Sequence, residues 1–338
     1  MPSPYYPMFT RSLKNIFVAG CLLTPLFSHA EAIKVGMVEW IAYAPLHVAA
    51  EKGIWKELGV EVAVQNYSSN QDLNSALESG RIDIALDMLG SWVGLRQQGK
   101  PIVILGQTDW SNGGDKVIAK KGYDLKKLKG SSVGVYLNQP SVTYFLDQYL
   151  RTAGLGIQDV RIVELDPQPM TDNFIAGRMN LIVNYDPEAI RAEREGNGSV
   201  VATSASYPGV IPEGFATTTR YVQHVPQDTL VNFFRGWYRA VKWTDNPANW
   251  AAYQTILKGK VFSNGSTLSE ADLAEMRHSV KVFGADSSER LHGAHGEVAE
   301  YLKRLEVFLK DVGELHEPVD ASTLLAVNAI SKAAALEK

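Results

Sequence analysis

Cysteine is almost absent from this sequence, since Cys21 is the only one among 338 residues. Basic residues show no excess either: the formal net charge is −4, so nucleic acid is a poor partner. No apolar run approaches the ~20 residues that a membrane-spanning helix needs. These absences exclude a disulfide-stabilised scaffold, a nucleic-acid-binding protein and a membrane-spanning protein.

The common catalytic signatures are also missing. There is no Gly-x-Ser-x-Gly elbow, no phosphate-binding loop, no dinucleotide fingerprint and no His-Glu-x-x-His motif. His292 and His295 lie in a glycine-rich loop without the cluster of carboxylates or cysteines that would complete a metal site. The sequence therefore predicts no enzymatic activity, no cofactor and no metal.

The first 32 residues have the features of a secretory signal peptide. Arg11 and Lys14 precede a short apolar run at 16–27, and small residues follow at 28–32, where signal peptidase would cut. We predict an exported protein. Cleavage also removes Cys21, which leaves no thiol for catalysis or metal binding.

A second interpretation of the leader is lipid attachment. Residues 18–21, Val-Ala-Gly-Cys, resemble a lipobox, in which Cys21 becomes a lipid-bearing first residue. Few apolar residues precede this motif and a good cleavage site follows it, so anchoring at Cys21 ranks second.

The most informative feature is an internal duplication at a spacing of 97 to 98 residues. The strand pattern of Lys34–Val38 recurs as Ser132–Tyr136, and each copy is followed by a proline and a helical segment. The turn at Ser79–Asp83 recurs as Ala176–Asn180. Alternating strands and helices demand a mostly parallel sheet covered on both faces. The sequence therefore predicts an α/β protein with two duplicated β-α-β lobes.

Two further strand-like segments are predicted to carry the chain between the lobes, Asp115–Lys120 outward and Phe215–Thr219 on return. Two such crossover strands make a hinge. The helical remainder, from about Pro226, is placed around the first lobe. The predicted domains are a signal peptide at 1–32, a first lobe from 33–115 and 216–338, and a second lobe from 116–215.

Ligands of open α/β sheets bind beyond the carboxyl ends of the strands, where loops lead into helices. The loops in these positions are rich in aromatic, hydroxyl, amide and carboxylate side chains, as small-molecule pockets are. The candidate ligand-binding residues are Trp40, Tyr43, Asp87, Ser91, Asp109, Ser111, Asn112, Asp115, Ser141, Tyr185, Asp186 and Glu188.

Each candidate also has a purely structural interpretation. Helix N-capping accounts equally well for Ser141 and Asp186, which precede helical segments. Asp87 follows the predicted strand Ile82–Leu86 and is either a helix cap or a partner for a donor on a ligand. In the structural interpretation, the two aromatic residues at 40 and 43 pack against the first helix, and residues 111–114 form a flexible turn.

Two regions resemble one known family. Tyr43–Leu46 with Ala49–Trp55, and Leu125–Gly130 with Val133–Val135, resemble the periplasmic solute-binding proteins of the nitrate, sulfonate and taurine transporter group, related in fold to thiamine-precursor-binding proteins. The resemblance implies a two-lobed, type II-like periplasmic-binding-protein fold. It also implies a monomer that closes on a small-molecule ligand and is then recognised by an ABC transporter permease with its ATPase.

Within this group, Trp110–Asp115 and Val142–Leu146 resemble the branch associated with urea-carboxylase-related transport systems. Three different functions stay open. One is a sulfonate-, taurine- or nitrate-binding protein of the same fold. The second is an enzyme like the thiamine-pyrimidine synthases, although their cysteine-rich, histidine-centred signature is absent. The third is an extracellular sensor module, which no following transmembrane segment supports.

The charges in the candidate loops indicate the type of ligand. These short segments contain no lysine or arginine, and a buried carboxylate without a partner is costly, so we predict a cationic or amide-bearing nitrogen compound. An anion held by backbone N–H groups at helix N-termini, beside Ser91 and Ser141, is the competing possibility. The acidic residues concerned are Glu39, Asp87, Asp109, Asp115, Asp186 and Glu188.

Overall fold

The computed structural model describes residues 1–5, 31–136, 139–263 and 267–338. Residues 32–338 form one compact unit. The apolar run of the predicted leader, with Cys21, lies outside the described residues. Within the described part of the chain, no helix combines the length and the apolar character that a membrane crossing requires.

Eleven strands are found in the described residues. They are β1 (Ile33–Met37), β2 (Val62–Asn66), β3 (Ile84–Met88), β4 (Ile102–Ser111), β5 (Asp115–Lys120), β6 (Ser132–Tyr136), β7 (Arg161–Leu165), β8 (Leu181–Tyr185), β9 (Gly198–Thr203), β10 (Pro212–Thr218) and β11 (Val280–Val282).

Helices fill most of the remaining described chain. They are α1 (Ala44–Glu51), α2 (Ile54–Glu57), α3 (Asn70–Glu78), α4 (Leu89–Gln97), α5 (Pro140–Arg151), α6 (Pro167–Ile175), α7 (Glu188–Glu195), α8 (Thr219–His224), α9 (Gln227–Asp245), α10 (Trp250–Ile256), α11 (Glu270–His278), α12 (Ser288–His292), α13 (Glu297–Val312), α14 (Ala321–Leu324) and α15 (Asn328–Glu337).

The strands form two sheets with matching topology. The first sheet has the order β11-β4-β10-β3-β1-β2, and the second has the order β7-β6-β8-β5-β9. In each sheet the first strand of the copy lies between two parallel neighbours, β1 between β2 and β3, and β6 between β7 and β8. One antiparallel strand then follows, β10 in the first sheet and β5 in the second. The predicted two-lobed α/β fold is confirmed.

The two antiparallel strands are the segments that pass between the sheets. β5 pairs with β8 and β9 of the second sheet from Asp115 onward. β10 pairs with β3 and β4 of the first sheet from Pro212 onward, so the returning strand begins before the predicted Phe215. The predicted lobe boundaries stay a prediction.

The long helices after β10 share the core of the first sheet. Phe233 and Trp237 on α9 and Leu305 on α13 are buried together with the residues of β1, β3 and β4. The ring of Trp237 contacts that of Phe215 on β10 edge to face, with centroids 5.1 Å apart. Burial of these large side chains holds the C-terminal helices against the first sheet.

Strand β3 begins later than the sequence pattern predicts. The N–H groups of Arg81 and Ile82 both bond to the carbonyl of Ala76, at 2.9 and 3.3 Å, and so extend the turn after α3. The strand predicted at Ile82–Leu86 therefore starts at Ile84. The strand also ends later, at Met88 instead of Leu86, so Asp87 lies inside β3 instead of in the loop after it.

Candidate functional site

A small cavity lined by acidic and aromatic side chains lies where the two sheets face each other. The cavity has a volume of about 20 Å³, room for about one water molecule, so it is too small in this conformation for a solute of several atoms. We call this space the central cavity. Its lining residues are Val38, Trp40, Tyr43, Asn70, Asp87, Met88 and Glu213 from the side of the first sheet, and Asp115, Tyr136 and Tyr185 from the second.

Strand direction brings these residues to one edge. Asp87, Tyr136 and Tyr185 lie at the carboxyl ends of the parallel strands β3, β6 and β8, as ligand sites of α/β sheets do. Asp115 and Glu213 lie at the amino ends of β5 and β10. Because these two strands run antiparallel to their neighbours, their starts fall at the same edge as the other strands' ends.

Asp87 is buried with one oxygen unpartnered. Its Oδ1 accepts the N–H of Met88 at 2.7 Å, whereas Oδ2 has no hydrogen-bond partner among the described residues. Burial raises the pKa of Asp87 to about 6, although the neighbouring side chains of Asn70, Ser91 and Gln139 lower it in part. This carboxylate is poised to accept hydrogen bonds from a ligand.

Asp115 on β5 has a phenol as its partner. The hydroxyl of Tyr136 donates to Oδ1 of Asp115, and the Ser111 hydroxyl accepts the N–H of Asp115 at 3.0 Å. Burial raises the pKa of Asp115 to about 6, and these two hydroxyls oppose the rise. A second acidic group is thereby fixed on the opposite side of the cavity from Asp87.

Aromatic rings form the wall between these acids. Tyr185 contacts Trp40 and Tyr136 edge to face, with ring centroids 5.7 and 5.2 Å away. Trp40 belongs to the side of the first sheet, and both tyrosines to the second. The aromatic wall therefore spans the boundary between the sheets.

Of the predicted site residues, five line the central cavity and one lies directly behind it. Trp40, Tyr43, Asp87, Asp115 and Tyr185 are the lining residues, and Asp109 bonds to Nε1 of Trp40 at 3.4 Å from within β4. Their role in ligand binding stays a prediction.

The predicted serines are held in contacts between protein groups. Ser141 lies in the first turn of α5 instead of at its cap, which is Gln139, and its hydroxyl bonds to the Tyr301 hydroxyl at 2.7 Å. The hydroxyl of Ser91 bonds to Gln139. The N-cap interpretation of Ser141 is therefore wrong.

The segment Ser111–Gly114 is not a loose turn. The hydroxyl of Ser111 bonds to that of Ser204 at 2.7 Å, and the Asn112 N–H donates to the carbonyl of Ser279 at 2.8 Å. A Cβ on Gly114 would lie 2.3 Å from the Trp40 ring, so only glycine fits there. This connection between the sheets is firmly positioned against the cavity wall.

Asp186 and Glu188 lie away from the central cavity. Asp186 pairs with the Lys116 ammonium at 3.0 Å, and α7 begins after it with Pro187 as the N-cap residue. Asp186 is therefore not the N-cap. Glu188 pairs with Arg191 at 2.7 Å and lines a separate outer hollow of about 780 Å³.

Three polar lining residues escaped the sequence analysis: Asn70, Tyr136 and Glu213. Tyr136 ends a predicted strand and Asn70 begins α3. Strand ends and helix starts are where ligand sites of α/β sheets lie, so the sequence pattern could have indicated both residues. Glu213 precedes the predicted return strand. An acid at the start of an antiparallel crossover strand is the pattern that would have found it.

The sheets are joined on one flank by α11. Arg194 on α7 forms a two-pronged ion pair with Asp272 on α11, and Lys116 on β5 lies 3.6 Å from Glu275 on the same helix. Since α11 follows β10 in the chain whereas α7 and β5 belong to the second sheet, these pairs tie the two sheets together.

On the other flank, α4 meets α5. The N–H of Gly90 donates to the Ser141 hydroxyl at 3.1 Å, and Tyr144 contacts Phe308 of α13 with ring centroids 5.2 Å apart. Close approach of the helices requires that Gly90 carry no side chain.

Replacing Gly90 with alanine is expected to keep the sheets apart. The new Cβ would lie 2.3 Å from the Ser141 hydroxyl and 2.5 Å from its backbone nitrogen, so α5 must withdraw. We expect a larger radius of gyration by X-ray scattering. Gly259→Ala is the control, since nothing lies within 4 Å of its added Cβ. An unchanged radius in Gly90→Ala contradicts this interpretation of the contact.

The two histidines singled out by the sequence lie elsewhere. His292 is buried against β4, where its Nε2 accepts the N–H of Gln107 at 2.9 Å, and burial lowers its pKa to about 4. His295 lines another hollow of about 720 Å³. Within the described ranges, no group of three or more histidine, cysteine, aspartate or glutamate residues is placed to hold a metal ion.

Two equivalent sheets, two strand crossings and a cavity at the shared edge define a two-lobed binding-protein fold. The ligand-binding component of an ABC-type import system from Staphylococcus aureus, solved with zinc bound, has a TM-score of 0.72 over 90% of this chain and 99% of that chain, at 14% identity. The alkanesulfonate-binding protein SsuA from Xanthomonas axonopodis, bound to MOPS, has a TM-score of 0.69 over 88% and 99%, at 15% identity. At these identities the likeness shows the fold alone.

The chain belongs to the NMT1-like family, whose model matches residues 28–258. YtlA of Bacillus subtilis is 27% identical over 220 residues, which is 61% of this chain and 64% of that protein. The bicarbonate-binding protein CmpA of Synechococcus elongatus is 26% identical over 268 residues, 69% of this chain and 58% of CmpA. The chain spans less than two thirds of the length of these relatives. The predicted resemblance to the nitrate and sulfonate group is confirmed.

Proposed function

We propose that this protein is the substrate-binding component of an ABC importer and not an enzyme. It captures a small nitrogen-containing solute between its two sheets and delivers it to a membrane permease driven by an ATPase. The observation that carries the proposal is the cavity between two equivalent sheets, lined by acidic and aromatic side chains from both, because a ligand that contacts both sheets binds the closed form better than the open one. Relatives named for solute binding and import support it.

The proposed location is the periplasm, after removal of the leader at 1–32, with lipid anchoring at Cys21 as the second choice. The protein acts there as a monomer. Intact-mass measurement of the exported protein distinguishes the two forms, because the anchored one begins at Cys21 and carries the added mass of its lipid.

The chemistry of the central cavity supports a ligand with N–H donors. Two carboxylate oxygens, Oδ2 of Asp87 and Oε2 of Glu213, have no hydrogen-bond partner among the described residues. Among those residues, no lysine or arginine lines this cavity. Buried acceptors without partners are costly, and a small cation or amide that supplies N–H groups removes that cost.

A sulfonate-, taurine- or nitrate-binding function is the competing proposal, because the fold is shared with SsuA. Anions would need donors at the starts of α4 and α5. The hydroxyls there are already engaged, Ser91 with Gln139 and Ser141 with Tyr301. The lack of free hydroxyl donors favours a nitrogen-containing ligand over an anion.

Titration calorimetry of the secreted protein tests the ligand class. The panel contains guanidinium, methylammonium, urea and acetamide beside taurine, methanesulfonate and nitrate. We expect heat of binding from members of the first group, reduced about tenfold in affinity by Asp115→Asn, which removes one charged acceptor. Tight sulfonate or nitrate binding that persists in both Asp109→Asn and Asp115→Asn would overturn the proposal.

A further inference from the structure

Asp109 and Glu213 stand opposite each other on neighbouring antiparallel strands. The register of β4 and β10 pairs them directly, so both side chains leave the same face of the sheet, with Cβ atoms about 5 Å apart. Their exposed fractions are 0% and 3%. Two ionised carboxylates this close together in a buried site repel each other, and the charge of Asp109 raises the pKa of Glu213. One proton held by the pair relieves this repulsion.

Nothing near the pair in the described part of the chain supplies a compensating positive charge. The tyrosines and aspartates facing it add negative charge or none, and His292 is kept neutral by its lowered pKa. Lys281 on β11 instead lies over the Trp110 ring, 5.1 Å from its centroid. The titratable groups on the elements packed around the pair are Tyr43, Asp87, Asp115, Tyr136, Tyr185, Lys281 and His292.

The two acids have different positions relative to a ligand. Glu213 lines the central cavity, and its Oε2 has no hydrogen-bond partner among the described residues. Asp109 lies behind it and accepts hydrogen bonds from Trp40 Nε1 at 3.4 Å and from the Thr108 hydroxyl at 2.8 Å. Glu213 is thus placed to contact the solute, and Asp109 is a positioning residue.

We propose that Asp109 and Glu213 share one proton at neutral pH, so that together they present a single negative charge, and that Glu213 is the residue through which this charge selects the solute. Only the role of Glu213 in selecting a solute rests on the proposed binding function. The shared proton is a property of the protein without ligand.

The dependence of stability on pH tests the shared proton. Burial and the second carboxylate raise the pKa of Glu213, and burial raises that of Asp109. In the unfolded chain both are ionised above about pH 5, so the folded protein holds one more proton between pH 7 and 8, and its stability falls as pH rises. Each such proton changes the folding equilibrium constant about tenfold per pH unit. In denaturant titrations between pH 7 and 8, we expect the folding equilibrium constant of Glu213→Gln to depend on pH less steeply than that of the wild type, by about a factor of ten per pH unit.

Two further variants keep the test decisive. Asp109→Asn removes the other carboxyl group of the pair and should reduce the pH dependence of stability by the same amount. It provides the test if Glu213→Gln folds poorly. Asp87→Asn leaves the pair intact and should keep the wild-type slope between pH 7 and 8, because the pKa of Asp87 is about 6. An equal slope in the wild type and in both pair variants overturns the proposal.

Infrared spectroscopy gives an independent readout that a merely structural role would not move. At pH 8 the wild type should show the C=O absorption of a protonated carboxyl group, which Glu213→Gln and Asp109→Asn lose. Absence of that absorption in the wild type counts against a shared proton. Neither measurement uses a ligand. A failed solute screen therefore contradicts the proposed function, whereas the pH dependence of stability and the infrared spectrum alone decide whether the proton is shared.

Discussion

Lys116→Met is expected to destabilise the protein by about 3 kcal/mol at pH 8. The Lys116 ammonium lies 3.0 Å from Oδ1 of Asp186, and the exposed fractions of these side chains are 7% and 0%. Removal of one member of a buried ion pair leaves the other charge uncompensated, which typically costs about 3–5 kcal/mol. Denaturant titration with intrinsic tryptophan fluorescence measures the loss.

The pH dependence identifies the cause. Burial already raises the pKa of Asp186 to about 7 with Lys116 in place, and the substitution raises it further. A raised pKa means that stability is present at low pH, where Asp186 is protonated, and is lost as pH rises through the folded-state pKa. The loss in Lys116→Met should therefore be smaller at pH 6 than at pH 8. Equal losses at both pH values would contradict this explanation.

Two control variants separate the buried pair from its surroundings. Adding Asp186→Asn to Lys116→Met should restore most of the stability, because no buried charge then remains. Glu275→Gln should change stability little, since the Glu275 side chain is 59% exposed and lies 3.6 Å from the ammonium.

The same ion pair shows where sequence reasoning about charge fails. The predicted acidic loops contained no lysine or arginine, and the imbalance suggested that Asp186 would face a ligand. Lys116 follows directly after one of those loops, on β5, and the antiparallel pairing of β5 with β8 brings it beside Asp186. Proximity across a sheet depends on strand register, which the loop composition does not contain.

The architecture was predictable because it repeats. The recurrence of Lys34–Val38 as Ser132–Tyr136 indicated two copies of one unit, and both sheets place the first strand of the copy between two parallel neighbours. The site acids Asp87 and Asp115 were predictable because ligand sites follow strand ends. Glu213 was not, since its place in the cavity depends on β10 running antiparallel between β3 and β4. That pairing joins distant parts of the chain, so the local sequence around Glu213 indicates where a strand begins but not which strands flank it.

Asp87→Asn is expected to weaken solute binding and to strengthen the fold. The unpartnered Oδ2 belongs to a carboxylate that lines the central cavity. A hydrogen bond from a ligand N–H to this carboxylate contributes about 2 kcal/mol, so the affinity of a solute from the nitrogen-containing panel should fall roughly thirtyfold by calorimetry.

Stability should move in the opposite direction. Burial raises the pKa of Asp87 to about 6, so the ionised carboxylate opposes folding, and the stability present at low pH is lost as pH rises through that value. Asparagine has no charge to bury, so the free energy of unfolding at pH 8 should rise by about 1 to 3 kcal/mol. Asp72→Asn is the matched control, because Asp72 is exposed in the outer hollow; since it lies in the first turn of α3, its substitution should lower stability by less than about 1 kcal/mol and leave the affinity unchanged. A structural role for Asp87 predicts lower stability in Asp87→Asn, whereas a binding role predicts a more stable protein that holds its solute less tightly.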